Sequence, residues 1–507
     1  MNKKIYSYIS IAAIAAVFIL TGCKKYLSRE PLDTITSQAF YSNANEVNQA
    51  LTGVYNAYGA RTVAIGVTTN SPEPTSLYAK MDLYTEIGLE RGLTGTIASG
   101  SYTPTNGAVA NIWFAFYQVI QRSNILLLNM EKARPVMTVA DYRRVEAEAK
   151  TLRALAYWYL IVYFGDVPYL TAPASNNEIT SGTRTPKRVI INSLINELTV
   201  VCNDLPWLPT EAGRVSKGVA LGAAARLAME DKRFNDAANI TDSIISRGPY
   251  GLNPVFQNVF RLAGQRANAN NEIMFIYPYG DADAGSFNYL NLVQGSRNQG
   301  GQSSHFPSQF LVDLFECRDG LNIATSPLYN PAAPGRNRDP RMSATVIVPG
   351  DTVVVQGFTS IIFNFTDRFQ FQFNPTTRVI TYSSTANVDS ANIFGPRANG
   401  LGNLWRKYTN DRDINGNAGN LFKVGWVNMR FAEMLLINAE AKLEAGRSAN
   451  EVAASINRVR TRAGMPMVSP TVLASTQLLR QLVRREKTVE LANEGLHMAD
   501  MRRWDDG

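Results

Sequence analysis

Apolar residues along this chain recur mostly at helical spacing. Leu152, Leu155, Ala156, Tyr159, Leu160 and Tyr163 fall at i, i+3, i+4, i+7, i+8 and i+11, a continuous stripe that predicts a helix packed against another helix. Similar patterns predict helices over about 45–58, 108–132, 187–204, 217–230, 235–246, 429–445, 449–462 and 475–494. Strand signals are fewer: Phe369, Phe371 and Phe373 alternate with Gln370 and Gln372, and β-branched residues crowd 352–355 and 379–382, so a small β insertion is expected over about 344–382. The Gly/Pro/Asn-rich stretches 63–106 and 277–341 have no clear period and exceed ordinary connector length, which marks them as functional-loop candidates. The fold class is therefore mainly α, with long irregular loops and a small β insertion.

The helical part repeats itself. A shift of 216 residues places Ala223 on Ala439, Ala225 on Ala441, Leu227 on Leu443, Ala237 on Ala453, Ala238 on Ala454, Ile240 on Ile456 and Gly248 on Gly464 without a gap. Most of the shared residues are small, as two antiparallel helices require where their backbones approach, and this is the tetratricopeptide logic of stacked helical hairpins. Ala147-Glu148-Ala149-Lys150 recurs as Ala439 to Lys442 and suggests a third unit. Repeat helices are expected over about 139–247 and 427–464, inside one body spanning 41–507.

The N-terminus reads as a secretory signal. Lys3 and Lys4 form a basic start, Ile9 to Leu20 is an apolar run broken only by Ser10, and Leu20-Thr21-Gly22-Cys23 follows at once. The run is about twelve residues where a spanning helix needs about twenty, so cleavage is the better reading. The tetrad resembles a bacterial lipobox, which implies removal of 1–22, acylation of Cys23 as the mature N-terminus, and a tether over 23–40. Cys202 and Cys317 then remain, able to form one disulfide or to stay as two buried thiols; the apolar helical pattern around Cys202 favours buried thiols.

Composition narrows the chemistry. The 507 residues are 45% hydrophobic and 18% charged, which excludes general disorder, and two His leave little imidazole for a zinc site or a His-based triad. The net charge of +8 falls to +6 once Lys3 and Lys4 leave with the signal. From Arg480 to Gly507 six basic residues alternate with six acidic ones, a pattern of internal ion pairing rather than of a nucleic-acid site. Glu486, Glu490 and Glu494 make an i, i+4 row of like charge that needs facing cations. Arg458, Arg460, Arg462, Arg502 and Arg503 are the candidates for a structural network joining repeat units, with His497 a structural member of it. Asp411-x-Asp413-x-Asn415-Gly416-Asn417 imitates an EF-hand start, but its twelfth position is Phe422 rather than a bidentate Glu, so a polar turn is expected and no metal site.

The ordered motifs of the chain resemble the SusD/RagB family of nutrient-binding outer-membrane lipoproteins. They are Trp113-x-x-x-Tyr117 with Asn124, Ala147-Glu148-Ala149, Leu152-Arg153-Ala154, Phe164-Gly165-Asp166-Val167-Pro168, Asn271-Glu272-Ile273, Asp339-Pro340-Arg341, Arg430-x-Ala432-Glu433-Met434-Leu435-Leu436 and Ile456-Asn457-Arg458-Val459-Arg460-x-Arg462-Ala463-Gly464. Arg485-Glu486, Glu490-Leu491, Glu494-Gly495, His497, Asp500 and Arg502-Arg503-Trp504 close the series. Members of that family usually continue past the Arg-Arg-Trp motif, whereas this chain stops at Gly507, as a fragment or a chain lacking its last packing segment would. Lys24-Lys25 follow Cys23 where exported relatives often carry acids.

The resemblance implies a non-enzymatic protein, lipid-anchored in the outer membrane and facing the exterior. It would capture an oligosaccharide, or in some members a peptide, and deliver it to a SusC-like TonB-dependent transporter without a cofactor. Neutral sugars present flat C–H faces and rings of hydroxyls, so capture calls for aromatic platforms with polar neighbours. In sugar-binding members such residues come from loops outside the repeats. Here those regions offer Tyr78, Asp82, Tyr84 and Tyr102, then Tyr279, Phe287, Tyr289, Asn291, Arg297 and Phe306. The competing class is a glycoside hydrolase using two carboxylates; no H-E-x-x-H, G-x-S-x-G, Walker A or C-x-x-C motif is present. A scaffold of helical hairpins without a small ligand would leave the two aromatic loops unexplained.

Overall fold

The computed structural model describes residues 40–59, 77–91, 100, 103, 107–278, 290–354, 360–390, 402–409 and 423–504. Its frame is a succession of helices: α1 (Ala44–Tyr58), α2 (Gly107–Asn129), α3 (Val139–Phe164), α4 (Lys187–Val201), α5 (Lys217–Glu230), α6 (Phe234–Arg247), α7 (Phe431–Glu444), α8 (Ala449–Ala463), α9 (Thr476–Leu491) and α10 (His497–Arg503). From α2 to α8 each helix packs on its chain successor, and α6 on α7 carries the stack across the long insertion between them. This is the mainly helical, hairpin-repeat class expected from the periodicity. The helix expected to run to 204 is α to Val201 and closes as a 3-10 turn over Cys202–Asp204. Among the described residues no helix is long and apolar enough to cross a membrane.

Local chemistry sets the helix ends. Thr138 accepts from the backbone N of Asp141 at 3.0 Å and starts α3, and Ser448 with Glu451 makes a reciprocal capping box for α8. α8 stops at Gly464, whose φ of +73° lies in the left-handed region that glycine enters without a Cβ clash. Small residues let neighbouring elements approach α5: a Cβ on Gly222 would lie 2.4 Å from the sulfur of Met429 and 3.2 Å from that of Met434 in α7. Cys202 and Cys317 are buried free thiols.

The two hairpins related by the repeat, α5/α6 and α7/α8, lie side by side. Arg226 of α5 donates to Glu433 of α7, and Asn438 of α7 donates to Thr241 Oγ1 at 3.0 Å and Asp242 Oδ1 at 2.9 Å of α6. The repeated Ala-Glu-Ala-Lys places a buried glutamate in each copy. Glu148 meets Arg144 and Arg214, while Glu440 meets Lys487 and Arg503.

Strand β2 (Ile273–Tyr277) pairs antiparallel with β8 (Trp426–Arg430) and brings Glu272 to the glutamate row. Arg430 donates to Glu272, Glu490 and Glu494, Arg341 to Glu486 and Glu490, Arg460 to Glu486, Arg462 to Glu272 and Glu490, and Lys407 to Glu494. Arg460 and Arg462 were expected as partners, and Arg341, Arg430 and Lys407 were not. The other candidate cations serve elsewhere: Arg458 lies over the Phe431 ring at 4.9 Å, Arg502 donates to Val162 O, and Arg503 to Glu440 and Asp500. His497 Nε2 sits 2.8 Å from Glu86 Oε1.

Three further sheets lie among the described residues, one of them the short antiparallel pair Val346–Ile347 with Leu404–Trp405. β1 (Gly88–Glu90) pairs with β3 (His305–Pro307), and β4 (Thr352–Val354), β5 (Ser360–Ile362), β6 (Phe369–Phe373) and β7 (Ile380–Ala386) form an antiparallel meander in that order.

Candidate functional site

The two irregular regions leave the helical frame at one point. Gly59 ends α1 directly against the Tyr277 ring, so closely that a Cβ there would stand 2.4 Å from a ring carbon. The chain beyond each residue belongs to one of the two loop candidates. They are stitched together again further on: β1 pairs with β3 in the register Gly88↔Pro307, Arg91 N donates to Ser304 O at 2.7 Å, and Arg91 Nη1 donates to Gln302 O at 2.9 Å. Residues more than 200 positions apart thus make one junction.

Asp389 builds the next layer. Its buried carboxylate accepts from Ser296 Oγ at 2.5 Å, from Arg297 N at 2.7 Å, and from Asn298 N and Nδ2 at 3.3 and 2.7 Å. Burial pushes the Asp389 pKa up, and these donors oppose that rise. The anchored turn presents Arg297, half-buried, whose guanidinium pKa is lowered by burial and by the nearby Arg91 charge. Asn298 Oδ1 accepts from Gln370 Nε2 at 3.0 Å and so ties the turn to the four-stranded sheet.

That sheet turns its amphipathic strand the unusual way round. Gln370 is buried and Gln372 faces the same way, on the side where Ile361 and Val353 pack over Phe306 and Leu404. The opposite side carries Phe369, Phe371, Phe373 and, from β7, Tyr382. Phe369 is 37% exposed and Tyr382 65% exposed. The Phe369 and Phe371 rings meet the Tyr382 ring edge-to-face at 5.7 and 5.3 Å. The rings thus form an aromatic platform on the outer face of the sheet, while the arginine-bearing turn is bonded to Gln370 on the inner face.

Of the residues expected to contact ligand, four lie inside the protein, which corrects that expectation. Tyr78 is 1% exposed and donates through Oη to Tyr58 O at 2.6 Å. Asp82 is buried and accepts from the backbone N of Glu494, Gly495 and His497 at 3.0, 3.1 and 3.3 Å, which fixes the turn before α10. Tyr84 is buried, and Phe306 packs beneath the small sheet at 2% exposure. In each case the segment is irregular but its side chain belongs to a core. Arg297 remains at the junction. Tyr102, Tyr279, Phe287 and Tyr289 lie outside the described residues, as do Cys23 and 411–422, and Asn291 is described by its backbone alone. Phe369, Phe371 and Tyr382, the outward ring row, were not among the expected residues. The alternation was visible, but sequence does not say which face of a short strand meets the core.

Comparison with known proteins places this architecture. A model of the SusD family matches residues 253–507, and a model described as starch-binding and associating with the outer membrane matches 25–227. A SusD-like protein of Formosa agariphila is 24% identical over 507 residues, covering 97% of this chain and 90% of that relative. A second from the same organism is 25% identical over 321 residues, so that the match spans 59% of this chain and about half, 55%, of that relative. Among solved structures, a SusD-like carbohydrate-binding protein from Bacteroides fragilis superposes with a TM-score of 0.76 at 25% identity, covering 92% of this chain and 87% of that one. A laminarin-binding SusD-like protein shares the fold at 19% identity and a TM-score of 0.66, covering 92% of each chain.

Proposed function

The chain belongs to the SusD family, and we propose that it captures oligosaccharides at the outer membrane and passes them to a SusC-like TonB-dependent transporter without chemical change. The observation that carries this reading is the outward ring row Phe369, Phe371 and Tyr382, on a sheet whose inner face packs on the junction where two loop regions meet at Gly59 and Tyr277 and are stitched through Arg91 and Ser304. In this reading the rings supply stacking area and Arg297 a charged donor. Tyr102, Tyr279, Phe287, Tyr289 and Asn291 complete the proposed site from the loops around the junction. The ligands of two structural neighbours, carbohydrate and laminarin, agree with this class of cargo.

In this reading Cys23 carries the acyl anchor and 24–40 is a tether holding the body on the exterior face. Two or more acyl chains anchor stably where one is marginal. Cys23→Ser is expected to release the protein from the membrane fraction, and external protease on intact cells to reach the wild type.

A hydrolase needs two carboxylates flanking an open cleft about 5–10 Å apart. Glu272, Glu486, Glu490 and Glu494 are instead closed inside arginine pairs, which favours binding without turnover. Incubating purified protein with a glycan it retains, and following reducing ends, tests this: unchanged glycan supports the reading and released product overturns it.

A further inference from the structure

A separate groove of about 380 Å³ runs along α2, within the range of about 300–1,000 Å³ typical of ligand clefts. Asn111, Phe114, Gln118 and Arg122 lie along one face of the helix, and Asn176 and Ile179 of the short helix Asn176–Ser181 form the opposite wall. That wall is fixed to α2. Gln121 Nε2 donates to Ala174 O at 2.8 Å while its Oε1 accepts from Ala174 N at 3.0 Å, and Asn124 Nδ2 donates to Leu170 O and Ala172 O at 2.9 and 3.0 Å. Ser175 and Glu178 cap the short helix reciprocally. The groove is therefore formed before any ligand arrives, which lowers the ordering cost of binding.

Its lining has unspent capacity of a particular kind. Asn111 and Gln118 are half-buried, yet among the described residues neither side-chain amide has a protein partner. Each offers two donors and a carbonyl acceptor. Phe114, at 39% exposure, adds an aromatic surface between them in the helix face. Arg122 spends Nη1 on Gly53 O at 2.7 Å and keeps further N–H groups.

We propose that this groove is a second sugar subsite, taking one neutral pyranose ring with its C–H face on Phe114 and vicinal hydroxyls on Asn111 and Gln118. A purely apolar occupant would desolvate two amides without replacing their hydrogen bonds, at about 1–3 kcal/mol for each; a polyol satisfies both while covering the ring. The subsite stands on α2, apart from the Arg297 turn, and does not depend on the loop reading.

The test is side-chain amide NMR on the ¹⁵N-labelled mature protein, titrated separately with the methyl pyranosides of glucose, galactose, mannose, xylose and N-acetylglucosamine, and with N-acetyl-trialanine amide. At least one glycoside is expected to shift the Asn111 and Gln118 amide signals saturably. Phe114→Ala weakens that shift about tenfold or more, with the remaining spectrum preserved, and Arg297→Ala leaves it unchanged. Absence of a shift with every glycoside, a shift with the peptide alone, or full retention in Phe114→Ala overturns the subsite. Unchanged glycan binding by Arg297→Ala with these shifts intact would count against the loop site only.

Discussion

Arg226 and Glu433, 207 residues apart, close a bidentate buried ion pair with Nε to Oε1 at 2.6 Å and Nη2 to Oε2 at 2.8 Å. One belongs to the hairpin α5/α6 and the other to its repeat-related partner α7/α8. The guanidinium also donates to Asn428 O and lies 4.8 Å from the Trp158 ring centre. Removing one member strands a charge in the core. Glu433→Ala is expected to cost about 3–5 kcal/mol in chemical denaturation, while Arg226→Met with Glu433→Leu recovers most of it. Equal costs for the single and double variants would refute this role.

The glutamate row dictates the acid limb. Burial pushes Glu490 and Glu486 up, but arginines outweigh it: Arg462, Arg430 and Arg341 lower Glu490, and Arg341 and Arg460 lower Glu486. Lowered folded-state values mean stability that is present above the ordinary carboxylate range and lost as pH falls through it toward the folded values. Unfolding free energy is expected to fall steadily below about pH 4.5. Glu490→Gln should be destabilised at neutral pH and show a shallower acid slope; an unchanged slope contradicts the network's part in it.

Much of this was legible beforehand, for physical reasons that differ by element. The stripe from Leu152 to Tyr163 and the gapless shift of 216 residues are local consequences of helix packing, and both hairpins stand where they indicate. The like-charged row foretold buried cations, yet only Arg460 and Arg462 were nearby in sequence. Arg341 and Arg430 arrive through long-range packing that spacing does not encode. The site was harder. Tyr78 and Phe306 sit in aperiodic sequence and looked available, but aperiodic backbone can still line a core. Phe371 and Tyr382 looked like half of an ordinary amphipathic strand, and only the pairing register and the inward Gln370 reveal them as an outer face.

Glu230 gives a pH effect of opposite sign. Burial, reinforced by Asp500 and partly opposed by Arg503, raises its pKa to about 7. A raised folded-state value means a contribution fully present below the unfolded pKa and lost as pH rises through about 7. Glu230→Gln removes that loss. Its melting temperature should exceed the parent's at pH 8, with the gap closing toward pH 5; the same gap at both pH values would contradict the assignment.

Asp389 holds the Arg297 turn through four hydrogen bonds to Ser296, Arg297 and Asn298. Asp389→Ala is expected to weaken glycan retention about tenfold or more by releasing Arg297, in affinity electrophoresis with a retained polysaccharide. Retention at the parental level would show that the turn does not position ligand.

The most direct test of the account is a glycan array probed in parallel with the mature protein and the Phe371→Ala, Tyr382→Ala double variant. Both rings lie on the outer face of β6 and β7, so the variant should melt with the parent. The account predicts that the parent retains at least one oligosaccharide class and that the folded double variant loses it. Equal retention by the two proteins, or a parent that retains no glycan at all, would contradict it.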